Sequence, residues 1–285
     1  MVATCPFCAS TSATLSIRGA YHPRVPEHGP FDLYRCRSCG SILTSPLPSA
    51  ERLAWFYGRF SNGLPARLSA ARAASPQRPW FAKLADRIAS RTTPATWVEA
   101  APGEGYFAEM LAARFPNSQG TAIDFHPRPN SSLSPRIAWR QGDLNADGLD
   151  GVRGANLVVA LAVLEHILNP RAFLRSLIRT VEPRGWIYVI CPDAGSWLGR
   201  ALGRRWPYLL PGEHIAMPTA AGMRALVSAA FADEGLDHAN LTVRSITVPY
   251  TVRYLAAFAG ITLPVPNSWA VPVPAGVLEL MVRVG

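Results

Sequence analysis

The stretch Thr96-Trp97-Val98-Glu99-Ala100-Ala101-Pro102-Gly103-Glu104-Gly105-Tyr106-Phe107 is a short apolar run closing on an acid, a turn of small residues, and the start of a helix through Met110 and Leu111. Small residues in such a turn let the backbone approach a ligand, and the carboxylate can accept hydrogen bonds from it. The glycines alone specify no more than a tight turn. The residues downstream add weight. Gly120-Thr121-Ala122-Ile123 reads as a second strand ending on Asp124, and an acid about 20 residues further on can accept both hydroxyls of a ribose. Ile137-Ala138-Trp139 reads as a third strand leading to Gln141-Gly142-Asp143-Leu144, and the apolar run Leu157 to Leu161 as a fourth. Acids thus fall at successive strand ends, which form the ligand crevice of an open parallel sheet. Alternating strand and helix signals from Thr96 onward predict an α/β fold, a parallel sheet with helices on both faces.

Further along stand Val163-Leu164-Glu165-His166 with Pro170, and Glu182-Pro183-Arg184-Gly185-Trp186 before a strand closing at Pro192-Asp193. As an ordered set, these segments and the strand-and-acid series before them resemble the class I S-adenosylmethionine-dependent methyltransferases over residues 96 to 235. The resemblance implies a Rossmann-like seven-stranded sheet, completed by the alternating segments Leu241 to Val248 and Gly276 to Val284. It also implies S-adenosylmethionine as cofactor, held by Glu99, Ala101, Gly103, Gly105, Asp124, Asp143, Leu144 and Ala160. In that family the first loop takes the methionine part, the second acid the ribose and the third the adenine. Two departures stand out. Ala101 replaces the family's first glycine and fits a tight turn if its φ stays negative, and Arg184 replaces a glycine after Pro183.

Methyl transfer needs aligned donor and nucleophile and, for many acceptors, a base. Pro211-Gly212-Glu213-His214-Ile215 precedes a helix starting near Thr219 and bearing Met223, Leu226, Val227 and Phe231. The resemblance makes His214 the candidate base, with Glu213 beside it; a histidine titrates near 6.5. Glu165-His166 reads as architectural, followed by Asn169-Pro170 as cap and first turn of a helix burying Phe173, Leu174, Leu177, Ile178 and Val181. Cys191 reads as a buried small hydrophobe. The segment from Ser196 to Tyr208 mixes Arg200, Arg204 and Arg205 with Trp197 and Trp206, fit to cover an anionic or ring-bearing acceptor or to act as a lid.

Cys5-Pro6-Phe7-Cys8 and Cys36-Arg37-Ser38-Cys39-Gly40 have zinc ribbon spacing. A two-residue spacer turns both sulfurs of a pair toward one ion, and four protein thiolates leave no open coordination position, so this zinc would be structural. Gly40 suits the positive φ of such a knuckle. Thr14 to Ile17 and Phe31 to Tyr34 read as short strands around a loop whose His22 and His28 are expected to be solvated, and Ser49 caps a helix presenting Leu53, Phe56 and Tyr57 to the ribbon. Residues 1–48 are assigned to the ribbon, 49–95 to a helical linker with a second amphipathic helix (Trp80, Phe81, Leu84, Ile88), and 96–285 to the methyltransferase domain. A zinc module before this core resembles the zinc-ribbon methyltransferases of sugar and natural-product pathways.

The 285 residues are 49% hydrophobic and 16% charged, which excludes wholesale disorder. The longest uncharged stretch, Tyr254 to Leu278, is broken by Pro264, Pro266, Pro272 and Pro274, so no membrane span is expected. With no basic and apolar leader, the expected location is the cytoplasm. Net charge is +9 with Lys83 the only lysine, and the arginines are scattered, which disfavours nucleic acid as partner. The expectation is methylation, C- or O-, of a small-molecule acceptor, sugar-linked or aromatic. The alternatives are a zinc-containing rRNA methyltransferase and a non-catalytic protein that keeps the fold.

Overall fold

The computed structural model describes residues 4–23, 25–61, 77–128, 133–252, 256, 263–266 and 269–285. The prolines and turn signals expected at Asn62-Gly63, Pro65 and Pro76 lie outside them.

Strands β1 (Ala13–Ala20), β2 (Phe31–Cys36) and β3 (Ile42–Ser45) form an antiparallel N-terminal sheet, followed by helices α1 (Ala50–Ser61) and α2 (Gln77–Ala89). Then come β4 (Thr96–Ala100), α3 (Tyr106–Arg114), β5 (Gln119–Asp124), β6 (Ile137–Gln141), β7 (Ala155–Leu161), α4 (Pro170–Thr180) and β8 (Val181–Pro192). The chain finishes with α5 (Trp197–Leu202), β9 (Ala216–Met217), α6 (Ala220–Asp233), β10 (His238–Thr251) and β11 (Ala270–Val284).

The large sheet has seven strands in the order β10-β11-β8-β7-β4-β5-β6. β6, β5, β4, β7 and β8 run parallel, and β11 and β10 are added antiparallel. This is the seven-stranded arrangement expected from the sequence. Central strands covered on both faces should be apolar throughout, and Trp97, Val98, Ala100 and Leu157 to Ala160 are all buried. On one face α4 and α6 bury Phe173, Leu177, Leu226 and Phe231. On the other, α2 and α3 bury Leu84, Ile88, Phe107 and Leu111. Gly120 lies under the Trp97 ring, where a Cβ would sit 2.1 Å from a ring carbon.

The N-terminal sheet takes its fourth strand from far along the chain. β9 pairs with β3 through Ile42 opposite Met217 and Leu43 opposite Ala216. His22 and His28 are not the solvated loop residues expected. Both are buried, because α1 and the segment 211–214 close over them. His22 Nε2 donates to Glu213 Oε2 at 2.7 Å, His28 Nε2 donates to Gly212 O at 3.0 Å, and the Phe56 ring lies 4.5 Å from that of His28. Among the described residues no helix is long and apolar enough to cross a membrane.

Candidate active site

The site is built at the carboxyl ends of β4, β5 and β6 and the loop after β7. β4 delivers Glu99 to the interior, 2% exposed, with Oε2 buried and without a hydrogen-bond partner. Burial, and after it the Asp124 carboxylate, push its pKa up to about 8. β5 delivers Asp124, whose Oδ2 accepts from Gly103 N at 2.9 Å and whose Oδ1 accepts from His126 N at 2.9 Å. The second acid thereby fixes the loop that leaves the first. Asp143, beyond β6, is exposed and accepts from Asn145 N at 2.8 Å.

A cleft of about 270 Å³ is lined by Ala101, Gly103, Asp124, Asp143 and Leu144, with Tyr57 and His166 on another wall. A second cavity of about 200 Å³ shares Ala101 and Gly103 with it and reaches Glu99. The three acids therefore surround two adjoining hollows. Gly103 has φ +56, with nothing within 4 Å of where a Cβ would stand, so its peptide is open to a ligand.

Other sequence expectations change. Ala101 does not keep a negative φ; it sits at +54, held by its N–H bond to Ile123 O at 2.8 Å. The strand must turn there to bring the loop over Asp124. Ala160 is fully buried within β7 and lines neither hollow; Ala162, two residues on and also left-handed, lines the cleft. Gly105 lines neither and serves as the left-handed cap of α3 beneath Leu133.

The residue expected as base lies off the cleft lining. His214 is 6% exposed and absent from the cleft wall, its Nδ1–H donating to Tyr208 O at 2.6 Å. Burial, reinforced by His166, holds its pKa down at about 3. Glu213 turns to His22 instead of the cleft. Two imidazoles stand on the cleft wall, His126 beside Asp124 and, on the wall with Tyr57, His166, a residue with an architectural look in the sequence alone. Its Nδ1 lies 3.0 Å from Tyr57 Oη, and its ring lies edge-on to His214 at 4.8 Å. Burial lowers its pKa and raises that of the Tyr57 hydroxyl. Behind it, Glu165 is buried, with Oε2 unpartnered and its pKa raised to about 8 by desolvation. Glu165, His166 and His214 each place a donor atom within 4.8 Å of the others, close enough to hold one cation. Position directly after β7 is the signal available for His166. Tyr57 has none, because its partner lies 109 residues away.

Cys5, Cys8, Cys36 and Cys39 converge, with Sγ atoms 3.7 Å apart for Cys5 and Cys39 and 3.6 Å for Cys8 and Cys36. Four ligands at about 2.3 Å around a tetrahedral ion stand about 3.8 Å apart, so the donor set fits zinc, and the separations are far too long for disulfides. Gly40 has the φ of +77 that the knuckle needs. Cys191 is buried, its thiol pushed well up, as suits a core residue.

The sheet order and the acids at its strand ends define a Rossmann-like methyltransferase fold. Residues 72–230, more than half the chain, match the methyltransferase domain family, and the chain belongs to that family. Its fold is similar to 1,6-didemethyltoxoflavin-N1-methyltransferase of Burkholderia thailandensis, solved with S-adenosylhomocysteine, at 14% identity and TM-score 0.54 over 89% of this chain and 95% of that one. It is also similar to an O-methyltransferase family protein of Burkholderia thailandensis (16% identity, TM-score 0.52), of which 80% of this chain spans 62%. The plantazolicin methyltransferase BpumL shares the fold at 12% identity and TM-score 0.52, over 82% of this chain and 95% of that one. No curated protein sequence matches the chain.

Proposed function

We propose that the protein transfers a methyl group from S-adenosylmethionine to a small-molecule acceptor. The supporting observation is the shared placement of Ala101, Gly103, Asp124 and Asp143 on one cleft, with the unpartnered Glu99 carboxyl on the hollow beside it. The buried orphan oxygen of Glu99 needs a polar partner, and an amino-acid group at the open Gly103 turn would supply one. Asp124 would receive the ribose and Asp143 the adenine amino group. When bound, the cofactor supplies an electrophilic methyl group on a sulfonium.

The rest of the cleft belongs to the acceptor. Leu53, Val163 and Ile167 give it an apolar wall, with His166 and Tyr57 as its polar pair. A neutral His166 accepts a proton from an acceptor hydroxyl or amine, and Tyr57 orients the imidazole. That division favours O- or N-methylation of an apolar ring-bearing acceptor. The didemethyltoxoflavin and plantazolicin methyltransferases also act on small molecules. Zinc at the four cysteines holds the N-terminal sheet and takes no part in the transfer.

Calorimetry with S-adenosylhomocysteine tests the cofactor assignment. Binding is expected, and Asp124→Ala should weaken it by about tenfold or more, the loss of a charged hydrogen-bond acceptor. A folded protein that fails to bind would refute the assignment, and unchanged affinity in the variant would refute the ribose role.

A further inference from the structure

A second and roomier cleft, of about 620 Å³, lies where the N-terminal sheet meets α5 and the turn after it. Arg35, Arg200 and Arg204 stand on its walls, and none of its lining residues is a carboxylate, the nearest anionic group on the wall being the Cys39 ligand of the four-cysteine cluster. Some arginines of this chain pair with acids, Arg171 with Asp233 at 2.5 Å and Arg175 and Arg179 with Glu234 at 2.6 and 2.7 Å, while Arg136, Arg224 and Arg283 stand singly on backbone carbonyls. Here, among the described residues, the guanidiniums find backbone carbonyls only. Arg35 Nη1 donates to Gly40 O at 2.8 Å and Ala194 O at 3.2 Å, Arg200 Nη2 to Gly195 O at 2.7 Å, and Arg204 Nη2 to Arg18 O at 3.4 Å. The nearby Asp193 carboxylate is taken by Gly195 N and Ser245 Oγ. Those bonds anchor the guanidiniums without neutralising them.

We propose that this cleft is a second binding site, for a phosphate-bearing anion with two or more charges, of which an organic diphosphate is the simplest type. A single carboxylate would leave most of the charge of three guanidiniums unmatched. A diphosphate matches it and offers the several acceptor oxygens that forked donors engage. The two faces of the cleft come from residues more than 150 positions apart, Arg35 on β2 against Arg200 and Arg204, so it exists only when the N-terminal sheet is docked. The aromatic and arginine-rich segment after Ser196 is then a wall of this site, distinct from the cleft lined by Asp124. The assignment does not rest on methyl transfer.

The test is calorimetric titration of the full chain with inorganic pyrophosphate at low ionic strength, in parallel with S-adenosylhomocysteine. Pyrophosphate should bind the parent protein more tightly than malonate does. The double variant Arg200→Gln, Arg204→Gln should lose about tenfold or more in pyrophosphate affinity, with its S-adenosylhomocysteine response unchanged from the parent. A control double variant of equal charge change, Arg91→Gln with Arg153→Gln, should bind pyrophosphate like the parent. Equal losses in both doubles would reduce the effect to net charge and overturn the site. So would malonate binding as tightly as pyrophosphate, or no pyrophosphate binding at all.

Discussion

Arg184 sits at φ +68 on the exposed turn within β8, where, among the described residues, its side chain makes no hydrogen bond or ion pair that would hold it there. A left-handed conformation costs a residue with a Cβ about 1–2 kcal/mol, and replacing it by glycine returns about 0.4–1 kcal/mol through greater unfolded-state entropy. Arg184→Gly should therefore raise stability by about 0.5–1 kcal/mol, seen as a higher urea midpoint at unchanged m-value. Sequence marks this position as a departure, and the structure supplies the reason glycine suits it. Glu99 makes the opposite point, a group whose residue type is legible but whose state is not. Its pKa is near 8 when folded, against an ordinary value of 4.5. Between those pH values the unfolded chain releases the proton that the native chain keeps, so stability falls as pH rises. The contribution is intact below 4.5 and fully lost above 8. Glu99→Gln should flatten that slope, leaving the variant more stable than the parent at pH 8 and close to it at pH 5. Parallel urea titrations at the two pH values measure it, and identical slopes in both proteins would refute a protonated Glu99. Burial depth and the Glu99–Asp124 approach decide this, and neither is written in local sequence.

Helices are the most legible elements, because their starts carry their own chemistry. Asn169 Oδ1 accepts from Ala172 N at 3.1 Å with Pro170 in the first turn, and Thr219 Oγ1 accepts from Gly222 N at 3.1 Å at the start of α6. Asn169→Ala should cost about 1 kcal/mol while S-adenosylhomocysteine affinity holds, since the residue lines neither hollow. Asn169→Asp should be nearly neutral, and an equal loss in both variants would show that packing, not capping, sets the effect. The parallel strands are legible from their apolar runs and from the acids at their ends. β9 is not, because two residues carry no periodicity and their partner β3 lies 175 positions earlier, as Ile42 opposite Met217 shows. The same long-range closure hides the site's second half. The sequence presents α1 as a helix packed on the ribbon, and Phe56 does pack on His22 and His28, but Tyr57 beside it faces His166. The family resemblance points to His214 from its place before α6. The Tyr208 carbonyl, the adjacent His166 and burial hold it off the cleft wall, a placement that only three-dimensional closure shows. His166→Ala should lower turnover by about 10²-fold or more with S-adenosylhomocysteine affinity retained, whereas a merely structural His166 would change both or neither.

At the scale of the whole molecule, the N-terminal sheet and the seven-stranded sheet share one set of ties. β9 joins the former while the chain around it belongs to the latter. Thr44 donates to His214 O at 3.1 Å, Arg35 to Ala194 O at 3.2 Å, and His22 to Glu213 at 2.7 Å. The four cysteines converge at the base of that sheet, and α1, which leaves it, lines with Leu53 and Tyr57 the side of the cleft proposed for the acceptor. The residues proposed to hold ribose and adenine stand instead on β5 and beyond β6, in the sheet whose one face packs on α2 and α3 away from the cysteines, while Cys5, Phe7, Cys36, Cys39 and Leu43 join the core on its other face. A structural zinc ion contributes folding free energy only to what it ties together. Stripping it should therefore divide the site's functions. One zinc per chain is expected by elemental analysis of the purified protein. Treatment with a chelator that removes it should lower the thermal midpoint and reduce turnover severely, while S-adenosylhomocysteine still binds within a few-fold of its original affinity. Zinc restored before irreversible aggregation should return turnover and midpoint together. If chelation abolishes cofactor binding as well, the two sheets unfold as one unit, and the division between a donor half and an acceptor half is wrong. If zinc leaves with turnover intact, α1 and Tyr57 do not form the acceptor wall.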